Sequence, residues 1–488
     1  MKENNLGLKI GLEIHQQLDT GKLFCRCPPI IRVDKPDVII KRKLHAVAGE
    51  SGKIDVAAEH EAGKDRWFTY EGYSDTNCLL EYDECPPHEI EKKALKIAIQ
   101  IALFLNMKIF PITQVMRKTV IDGSNTAGFQ RTLLIAQNGF LEIETKKGKK
   151  KIGIQSLCLE EDAARIIEKN EKETIYRLDR LGIPLIEIAT SPDISTPEEA
   201  KQVALKLGEI LRACKVKRGI GTIRQDVNMS IDKTKWTRFE IKGVQEPSLI
   251  EQTIYHEISR QLALLKENQK LVPEVRKANP GGTTSFLRPL PGSSRMYPET
   301  DLPLIKISNE LIKEAKKELP RLKEEISLEL KEQGLNPELT KLILQENKLQ
   351  EFKALIKLAD KPNLAAKLLV LLPKEISSHE KIDIKKVNDK LSLDIIETIF
   401  QAIIKNKIPE SSAKQIMMDI IKGQDISEIL KTVSNQSSSL TDLEKSIQEI
   451  IKEKPNLSLN AYMGLVMQKF KGKIDAGKVL DILKKYIK

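Results

Sequence analysis

The stretch from residue 7 to residue 18 alternates apolar and polar side chains. Its apolar members are two positions apart: Leu8, Ile10, Leu12 and Ile14. This period of two is typical of a strand that buries one face. Because side chains two positions apart lie on the same face, Glu13 and His15 are predicted to be neighbours on the other, polar face. A carboxylate and an imidazole in this arrangement can share a divalent cation, or simply hydrogen-bond to each other.

Two later stretches show the same alternation and are predicted to be strands. In residues 222–231 the polar side includes Arg224 and Asp226, and in residues 238–242 it includes Lys242. Antiparallel strands that are solvated on one face have this pattern routinely. Each strand alone therefore fits a structural role as well as a functional one.

Helical patterns interrupt these strands, at residues 87–105 and 197–213. The second begins with clear signals, because Thr196 can cap it and Pro197 and two acidic residues follow in its first turn. Short alternating strands with few helices predict one α+β domain, built on an antiparallel sheet, over residues 1–304.

Beyond residue 304 the amino-acid composition of the chain changes. Segments rich in Leu, Ile, Lys and Glu, interrupted by prolines, predict a helical bundle over residues 305–430. The polar run Ser434–Ser439 is predicted to be a linker. Residues 431–488 are therefore assigned to this linker and a small, lysine-rich helical tail domain.

Composition and charge limit the classes of function. The 488 residues include 80 Lys and Arg against 69 Asp and Glu, and the net charge of +11 suits a polyanionic partner such as RNA. Lysine-rich helix faces give the same excess, so charge alone leaves both interpretations open. Only 4% of the residues are aromatic, which argues against a stacking platform for single strands. The sequence has no apolar run of membrane-spanning length and no secretory signal, so a cytoplasmic protein is expected.

Carboxylates occur in two unusual settings. Glu187 lies in an apolar run, residues 182–189, where a carboxylate must be paired, protonated or bound to a metal. Glu160 and Glu161 lie in Cys158–Ala164, which is predicted to begin a helix, and a helix dipole also favours acidic residues there. The P-loop, G-x-G-x-x-G and G-x-S-x-G motifs do not occur in the sequence.

Four of the six cysteines form a candidate zinc site: Cys25, Cys27, Cys78 and Cys85. Their C-x-C and C-x₆-C spacings are looser than the paired C-x-x-C knuckles of zinc domains. Free or buried thiols are therefore the alternative. The lack of a tight cysteine array argues against a disulfide framework.

Six segments of the first 300 residues resemble the B-type and E-type subunits of the tRNA-dependent amidotransferases. They are Gly11–Leu18, Lys22–Cys27, Leu159–Ala163, Gly182–Ile188, Ile223–Ser230 and Phe239–Lys242. Two further segments, Met116–Arg131 and Arg295–Pro303, are more similar to the archaeal E form than to the B form. E-type subunits usually carry an inserted domain that resembles part of aspartyl-tRNA synthetase. Here only a short helical stretch, about 250–272, occupies that place, so the insertion is expected to be missing. The tail is also similar to the tail domain of these subunits.

The resemblance implies a cradle-shaped first domain and an ATP-dependent activity. Members of this family convert glutamyl-tRNA(Gln) to glutaminyl-tRNA(Gln). ATP phosphorylates the side-chain carboxylate of the glutamate, and ammonia from a partner amidase then displaces the phosphate. The implied cofactors are ATP and Mg²⁺. The implied partners are the charged tRNA and an amidase, either the asparaginase-like D type or the amidase-signature A type.

The resemblance also implies roles for individual residues. The Mg²⁺ ligands would be His15, Glu161 and Glu187. Catalytic roles, including neutralisation of phosphate charge by the cations, would fall to Glu13, Lys118, Glu160, Arg224, Asp226 and Lys242. Contacts of the tail with tRNA phosphates are predicted for Lys469, Lys471, Lys473 and Lys478.

Two alternatives stay open from the sequence. One is a bacterial-type B form that acts on glutamyl-tRNA(Gln), on aspartyl-tRNA(Asn) or on both. The other is a tRNA-binding assembly factor without catalysis. The complete set of candidate groups favours an enzyme: Glu13, His15, Glu161, Glu187 and Asp226.

Overall fold

A computed structural model gives the architecture of the chain. It describes residues 7–43, 63, 65–146, 148–290, 296–437, 440–455, 457–469 and 476–486. The chain divides into two compact units, with the division between Leu322 and Lys323. Residues 305–322, which the sequence assigns to the helical bundle, belong to the first unit. The predicted division into three domains stays a prediction.

The first unit contains the strands of the described chain. They are β1 (Lys9–Gln17), β2 (Val38–Arg42), β3 (Trp67–Gly72), β4 (Lys108–Ile109), β5 (Ile112–Thr113), β6 (Val115–Thr119), β7 (Phe129–Thr145), β8 (Gly148–Glu161), β9 (Arg165–Lys169), β10 (Glu173–Arg177), β11 (Pro184–Thr190), β12 (Ile223–Ser230), β13 (Phe239–Lys242), β14 (Glu274–Ala278), β15 (Thr284–Pro289), β16 (Met296–Pro298) and β17 (Ile305–Lys306). The α-helices of this unit are α1 (Lys92–Phe104), α2 (Pro197–Ala213), α3 (Pro247–Lys266) and α4 (Asn309–Lys317).

Most of these strands form one sheet with β1 near its middle. The order is β15-β14-β13-β12-β1-β11-β8-β7-β6-β16, and β4 adds to β7 to give 11 strands. Neighbouring strands are antiparallel, except that β13 and β14 are parallel. A four-stranded sheet, β2-β3-β10-β9, and the short pair β17-β5 complete the set. The predicted α+β fold with an antiparallel sheet is confirmed, as are the strands predicted at 222–231 and 238–242.

The large sheet must be strongly curved. Its two edge strands, β15 and β16, lie nine strand spacings apart in the sheet order, which is ~43 Å in a flat sheet. However, only six residues lie between Pro289, at the end of β15, and Met296, at the start of β16, and the seven Cα–Cα steps that join them span at most ~25 Å. The edges therefore approach each other, and the sheet curls into a cradle.

The two faces of this sheet differ in character, as alternation in β1 predicts. Leu12 and Ile14 are buried on the face that packs against α1 and α2. The predicted helix at 197–213 is confirmed as α2, and the Thr196 hydroxyl accepts a hydrogen bond from the Glu199 amide at 3.2 Å. The polar face points the other way, toward the concave side.

Two predicted helix boundaries are wrong. The helix predicted from residue 87 begins at Lys92, because the amides of His88 and Glu91 instead donate to the backbone carbonyls of Phe24 and Leu23. The helix start predicted in Cys158–Ala164 is a strand. Backbone pairing of β8 with β7 and β11 continues to its end, and this pairing overrides the local helix signal.

The second unit is helical. Its α-helices are α5 (Lys323–Glu332), α6 (Pro337–Gln345), α7 (Leu349–Leu358), α8 (Pro362–Ala366), α9 (Leu372–Glu380), α10 (Ile384–Lys390), α11 (Leu393–Ile404), α12 (Ala413–Ile421), α13 (Ile426–Ser437), α14 (Leu440–Glu453), α15 (Leu459–Lys469) and α16 (Ala476–Tyr486). One apolar cluster contains Phe352 and Phe400, and a separate one in the tail contains Tyr462 and Val466.

The predicted linker Ser434–Ser439 is wrong for residues 434–437, and Ser438 and Ser439 lie outside the described residues. Helix α13 continues through Ser437, because Ser, Asn and Gln weaken a helix only modestly once it has formed. None of the described helices is long and apolar enough to span a membrane.

Candidate active site

The concave, polar face of the large sheet lines a cleft with a volume of about 520 Å³. Strands from both halves of the sheet contribute to it, from Lys118 on β6 through His15 on β1 to Arg288 on β15. A cleft of this size can hold a nucleotide or a comparable ligand.

The pairing of β1 with its neighbours brings the predicted polar faces together. His15 lies opposite Glu187 on β11 and opposite Arg224 on β12, and Glu13 lies opposite Asp226. Because paired residues share a face, residues from three distant parts of the chain meet at one place.

Three of these side chains converge closely. Nε2 of His15 lies 3.3 Å from the Glu187 carboxylate and 3.5 Å from the Glu13 carboxylate. One ligand atom from each of the three residues lies within 4.8 Å of the others. Two carboxylates and an imidazole suit Mg²⁺ or Mn²⁺.

Glu187 is the ionised member of this group. Burial acts to raise the pKa of its carboxyl, but the charges of Lys118 and His15 outweigh burial and hold that pKa well below its usual range. Lys118 Nζ donates to Glu187 at 2.9 Å and to Glu160 at 3.0 Å. Of the three states that the sequence allows for Glu187 in its apolar run, the structure shows pairing with Lys118.

Glu13 differs from Glu187 in the balance of these effects, because the charges of His15 and Lys242 do not outweigh its burial. Burial and the charge of Glu187 raise the pKa of Glu13 to about 7. The His15 pKa is raised as well: burial acts to lower it, but the hydrogen bond to Glu187 and the neighbouring carboxylate charges outweigh that effect. This excess of negative charge is what a divalent cation would offset.

Glu160 and Glu161 are successive residues of β8 and lie on opposite faces of the strand. Glu160 faces the cleft, where it accepts hydrogen bonds from Lys118 and from the Thr132 hydroxyl, the latter at 3.1 Å. Glu161 is buried against Arg131, which lies 3.4 Å away and donates its amide to the same carboxylate. Among the described residues, the group that could hold a metal consists of Glu13, His15 and Glu187, without Glu161, and the ligand set stays a prediction.

The remaining predicted cations lie along β12 and β13. Lys242 Nζ is 2.9 Å from Asp226 and 2.6 Å from Glu240. Arg224 donates to the fully buried Asp162 at 2.8 Å. Both cations are thus held in position by carboxylates while they line the cleft.

Several groups of the cleft were not predicted from the sequence. Asp162 anchors Arg224, and Glu240, Arg238 and Arg288 line the cleft. The alternation of residues 238–242 places Arg238 and Glu240 on the same polar face as Lys242, although neither was named among the predicted site residues. Arg288 lies in a charged segment, residues 288–301, and was not named among them either.

A second group of possible metal ligands contains three of the four predicted cysteines. Cys25, Cys27 and Cys78 lie with Glu81, their ligand atoms within 4.8 Å of one another. Cys85 is not part of this group among the described residues. Glu81, which lies between Cys78 and Cys85 in sequence, replaces it.

Glu81 organises this second group. The sulfurs of Cys25 and Cys78 each lie 3.1 Å from a Glu81 oxygen, and the fully buried Lys22 donates to Glu81 at 2.7 Å. The hydrogen bond from Cys25 lowers the pKa of Cys27 to about 7 and raises that of Cys25, while burial and the charge of Glu81 raise the pKa of Cys78 to about 12.

The four predicted tRNA-binding lysines all lie in the tail. Lys469 is exposed at the end of α15. Lys471 and Lys473 lie outside the described residues, and the side chain of Lys478 is also outside them.

Comparison with known proteins identifies a family that matches most of the chain. Residues 8–313 match the family model described as the GatB/GatE catalytic domain, and residues 350–487 match the GatB domain. A relative from Methanocaldococcus jannaschii, named as the E subunit of glutamyl-tRNA(Gln) amidotransferase, is 38% identical over 99% of each chain. Relatives with the same name from Archaeoglobus fulgidus and Thermococcus sibiricus are 33% and 34% identical, over at least 98% of each chain.

These alignments also bear on the predicted absence of an inserted domain. The alignment with the Methanocaldococcus jannaschii relative is 636 residues long, whereas this chain has 488 residues, so the relative contains segments without a counterpart here. The resemblance to the B-type and E-type subunits, and to the E form in particular, is confirmed. The chain belongs to the GatB/GatE family of amidotransferase subunits.

Proposed function

We propose that this chain catalyses the ATP-dependent amidation of glutamyl-tRNA(Gln) to glutaminyl-tRNA(Gln). The observation that carries this proposal is the grouping of Glu13, His15 and Glu187 in a cleft that also presents Lys118 and Lys242. A free carboxylate is a poor acylating agent, so the glutamyl side chain must be activated first. Phosphoryl transfer requires mainly a divalent cation and positive charge around the phosphates, which this set of residues can provide.

In the proposed reaction the side-chain carboxylate of the glutamyl group attacks the γ-phosphorus of ATP. The bond to ADP breaks, and an acyl phosphate forms. Ammonia then attacks the acyl carbon, inorganic phosphate leaves with the bonding electrons, and the amide remains after loss of a proton. No nucleophilic side chain of the protein is needed for either step.

Glu13, His15 and Glu187 would hold the cation, which when bound neutralises charge on the transferring phosphoryl group. The fit rests on the donor set, because Glu187 is ionised and Glu13 needs only a modest stabilisation to lose its proton. Lys118 and Lys242 would orient the phosphate oxygens, since each ammonium is fixed by two carboxylates at the cleft wall.

Ammonia and tRNA would come from partners. The relatives are named as E subunits, which favours an asparaginase-like amidase of the D type as the source of ammonia. An amidase-signature partner of the A type would instead indicate the bacterial-type alternative. The tail would add tRNA affinity through phosphate contacts. We place the reaction in the cytoplasm, where charged tRNA and ATP are made.

A structural zinc ion is proposed for the second group of ligands. Three thiols and one carboxylate provide the four donors of a tetrahedral site. This ion would connect the segment around Cys25 to the segment around Cys78, and it would take no part in the chemistry.

The proposed function is tested by amidation of glutamyl-tRNA(Gln) by the purified full chain, with ATP, Mg²⁺ and ammonium chloride. Ammonium removes the need for the partner amidase. Formation of glutaminyl-tRNA together with ADP supports the proposal. Product from aspartyl-tRNA(Asn) as well would favour the bacterial-type alternative, and tRNA binding without any product would favour the non-catalytic one.

A further inference from the structure

The cleft extends past its carboxylates to a second group of cations. Arg238 donates two hydrogen bonds to the Asn228 side-chain oxygen, at 3.0 and 3.1 Å. Asn228 is a neutral acceptor, and no carboxylate of the described residues forms an ion pair with Arg238, so its positive charge is positioned but not neutralised there. Glu240, which pairs with Asn228 across β12 and β13, is itself bound to Lys242. Arg238 is therefore available to an anion that enters the cleft.

Arg288 approaches the same region from β15. It lines the cleft, and its Nη1 is shielded from water and has no hydrogen-bond partner in the part of the chain that the structure describes. An N–H group without water or an acceptor is costly, so native structures rarely retain one without a reason. A guanidinium in this state at a cleft wall is suited to bind the oxygens of a phosphate.

Trp236 lies two residues before Arg238 in a strained turn. Its φ is +61° and that of Lys235 is +54°, so two consecutive residues other than glycine adopt the left-handed conformation. Bulky residues rarely do so, and such strain is typically retained where a side chain has a task. The ring is 41% exposed, and the Lys9 ammonium lies 4.1 Å from its centroid.

The position of this ring relative to the carboxylates follows from β1. Lys9 and Glu13 lie on the same face of that strand, four residues apart, which is ~13 Å. The backbone at Lys9, whose side chain contacts the ring, therefore lies as far along the strand from Glu13 as an extended nucleoside triphosphate is long. Arg238 reaches the interval between them, because it is hydrogen-bonded to Asn228, which pairs with Gly11 of β1.

We propose that this end of the cleft is a nucleotide-binding arm, in which Arg238 and Arg288 bind phosphate and Trp236 stacks on the base. This proposal rests on the proposed function, which supplies two ligands with this chemistry: ATP and the 3′-terminal nucleotide of the tRNA. Stacking on an aromatic ring tolerates any base, and the adjacent Lys9 adds charge for the phosphate.

The test measures the affinity of the full chain for two probes, adenylyl imidodiphosphate with Mg²⁺ and glutamyl-tRNA(Gln) without nucleotide. The variants Trp236→Leu and Arg288→Met remove the ring and the charge. Trp67→Phe on the second sheet and Arg212→Met on α2 are matched controls away from the cleft. We expect each of the first two variants to weaken binding of one probe about tenfold and the controls to leave it unchanged.

The probe whose binding the variants weaken identifies the ligand of the nucleotide-binding arm. Weaker binding of the ATP analogue alone assigns the arm to ATP, and weaker binding of glutamyl-tRNA alone assigns it to the tRNA end. Arg288→Lys keeps the charge and should recover part of the affinity, and unchanged circular dichroism confirms that the variants fold.

Wild-type affinity of both variants for both probes would overturn the nucleotide arm. If the wild-type chain still makes glutaminyl-tRNA in that case, the proposed function stands and only this inference fails. If the wild-type chain binds neither probe, the arm and the proposed function fail together.

Discussion

His15 and Glu187 face each other across β1 and β11, with the imidazole Nε2 3.3 Å from the carboxylate. The two residues are far apart in sequence, and each lies on a strand whose other face is buried in the apolar core. The core therefore fixes the positions of both side chains. A site built on two central strands in this way is more rigid than one built on loops.

Asp162 should make the stability of the protein depend on pH. Burial acts to raise the pKa of its carboxyl, but Arg224, Arg180 and a hydrogen bond from Gln17 outweigh burial and lower that pKa. Its stabilising contribution is therefore present above the ordinary pKa range of an aspartate and is lost as the pH falls through its lowered folded-state value.

We expect Asp162→Asn to reduce the free energy of unfolding by roughly 3 kcal/mol at pH 7, because Arg224 loses its buried partner. The deficit should begin to shrink below about pH 4, where Asp162 of the unfolded wild-type chain takes up a proton, and should disappear below the lowered folded-state pKa of Asp162. Urea titrations of both proteins from pH 3 to pH 7 measure this difference. A deficit that stays constant over this range would show that charge at Asp162 is not the cause.

The two neighbouring glutamates of β8 should differ in their effect on activity. Glu160→Gln loosens Lys118 in the cleft, and we expect turnover with ammonium to fall about 100-fold. Glu161→Gln should keep turnover within about tenfold and instead lower thermal stability, because Arg131 loses a buried partner but keeps Glu299. The reverse ranking of the two turnover numbers would restore Glu161 to the metal site.

The second ligand group should bind about one zinc ion per chain. Cys78→Ser should lose this ion and lower the melting temperature, whereas Cys85→Ser should keep both at wild-type values, because Cys85 is outside the group. Elemental analysis and thermal melts of the two variants provide this comparison. Equal loss in both variants, or wild-type protein without zinc, would reject the site.

Deletion of residues 440–488 should weaken tRNA binding at low salt without affecting catalysis by bound substrate. The tail lysines would neutralise phosphates, so the deletion should also reduce the dependence of affinity on salt concentration. Filter binding at 50 and 200 mM salt measures both effects. Identical salt dependence before and after the deletion would place the tRNA contacts elsewhere.

Alternation within strands predicted much of the site. It placed Glu13 beside His15 and identified the polar faces that carry Arg224, Asp226 and Lys242, because strand parity is a local property. It could not predict which strands would pair, and the meeting of His15 with Glu187 depends entirely on that pairing.

The misassigned residues share a physical cause, which is that long-range contacts overrode local signals. Glu160 and Glu161 looked like the first turn of a helix, and this concealed the strand parity that separates them. Glu81 is an ordinary acidic residue in sequence, and only the fold brings it to Cys25 and the buried Lys22. Arg288 is identified by an unsatisfied buried nitrogen, which only coordinates can reveal.

The central claim is that Glu187 helps to hold the cation for phosphorylation of the glutamyl side chain. Glu187→Gln keeps the shape of the side chain but removes its charge. The most direct test of this claim measures the transfer of radiolabel from γ-labelled ATP to inorganic phosphate. The transfer must depend on glutamyl-tRNA(Gln), and ammonium is supplied directly. We predict that Glu187→Gln lowers the rate of this transfer at least about 100-fold. Its affinity for the tRNA should stay within about twofold of wild type, since the contacts with the tRNA phosphate backbone lie elsewhere. Near-wild-type transfer by Glu187→Gln would contradict the assignment of this cleft as the phosphorylation site.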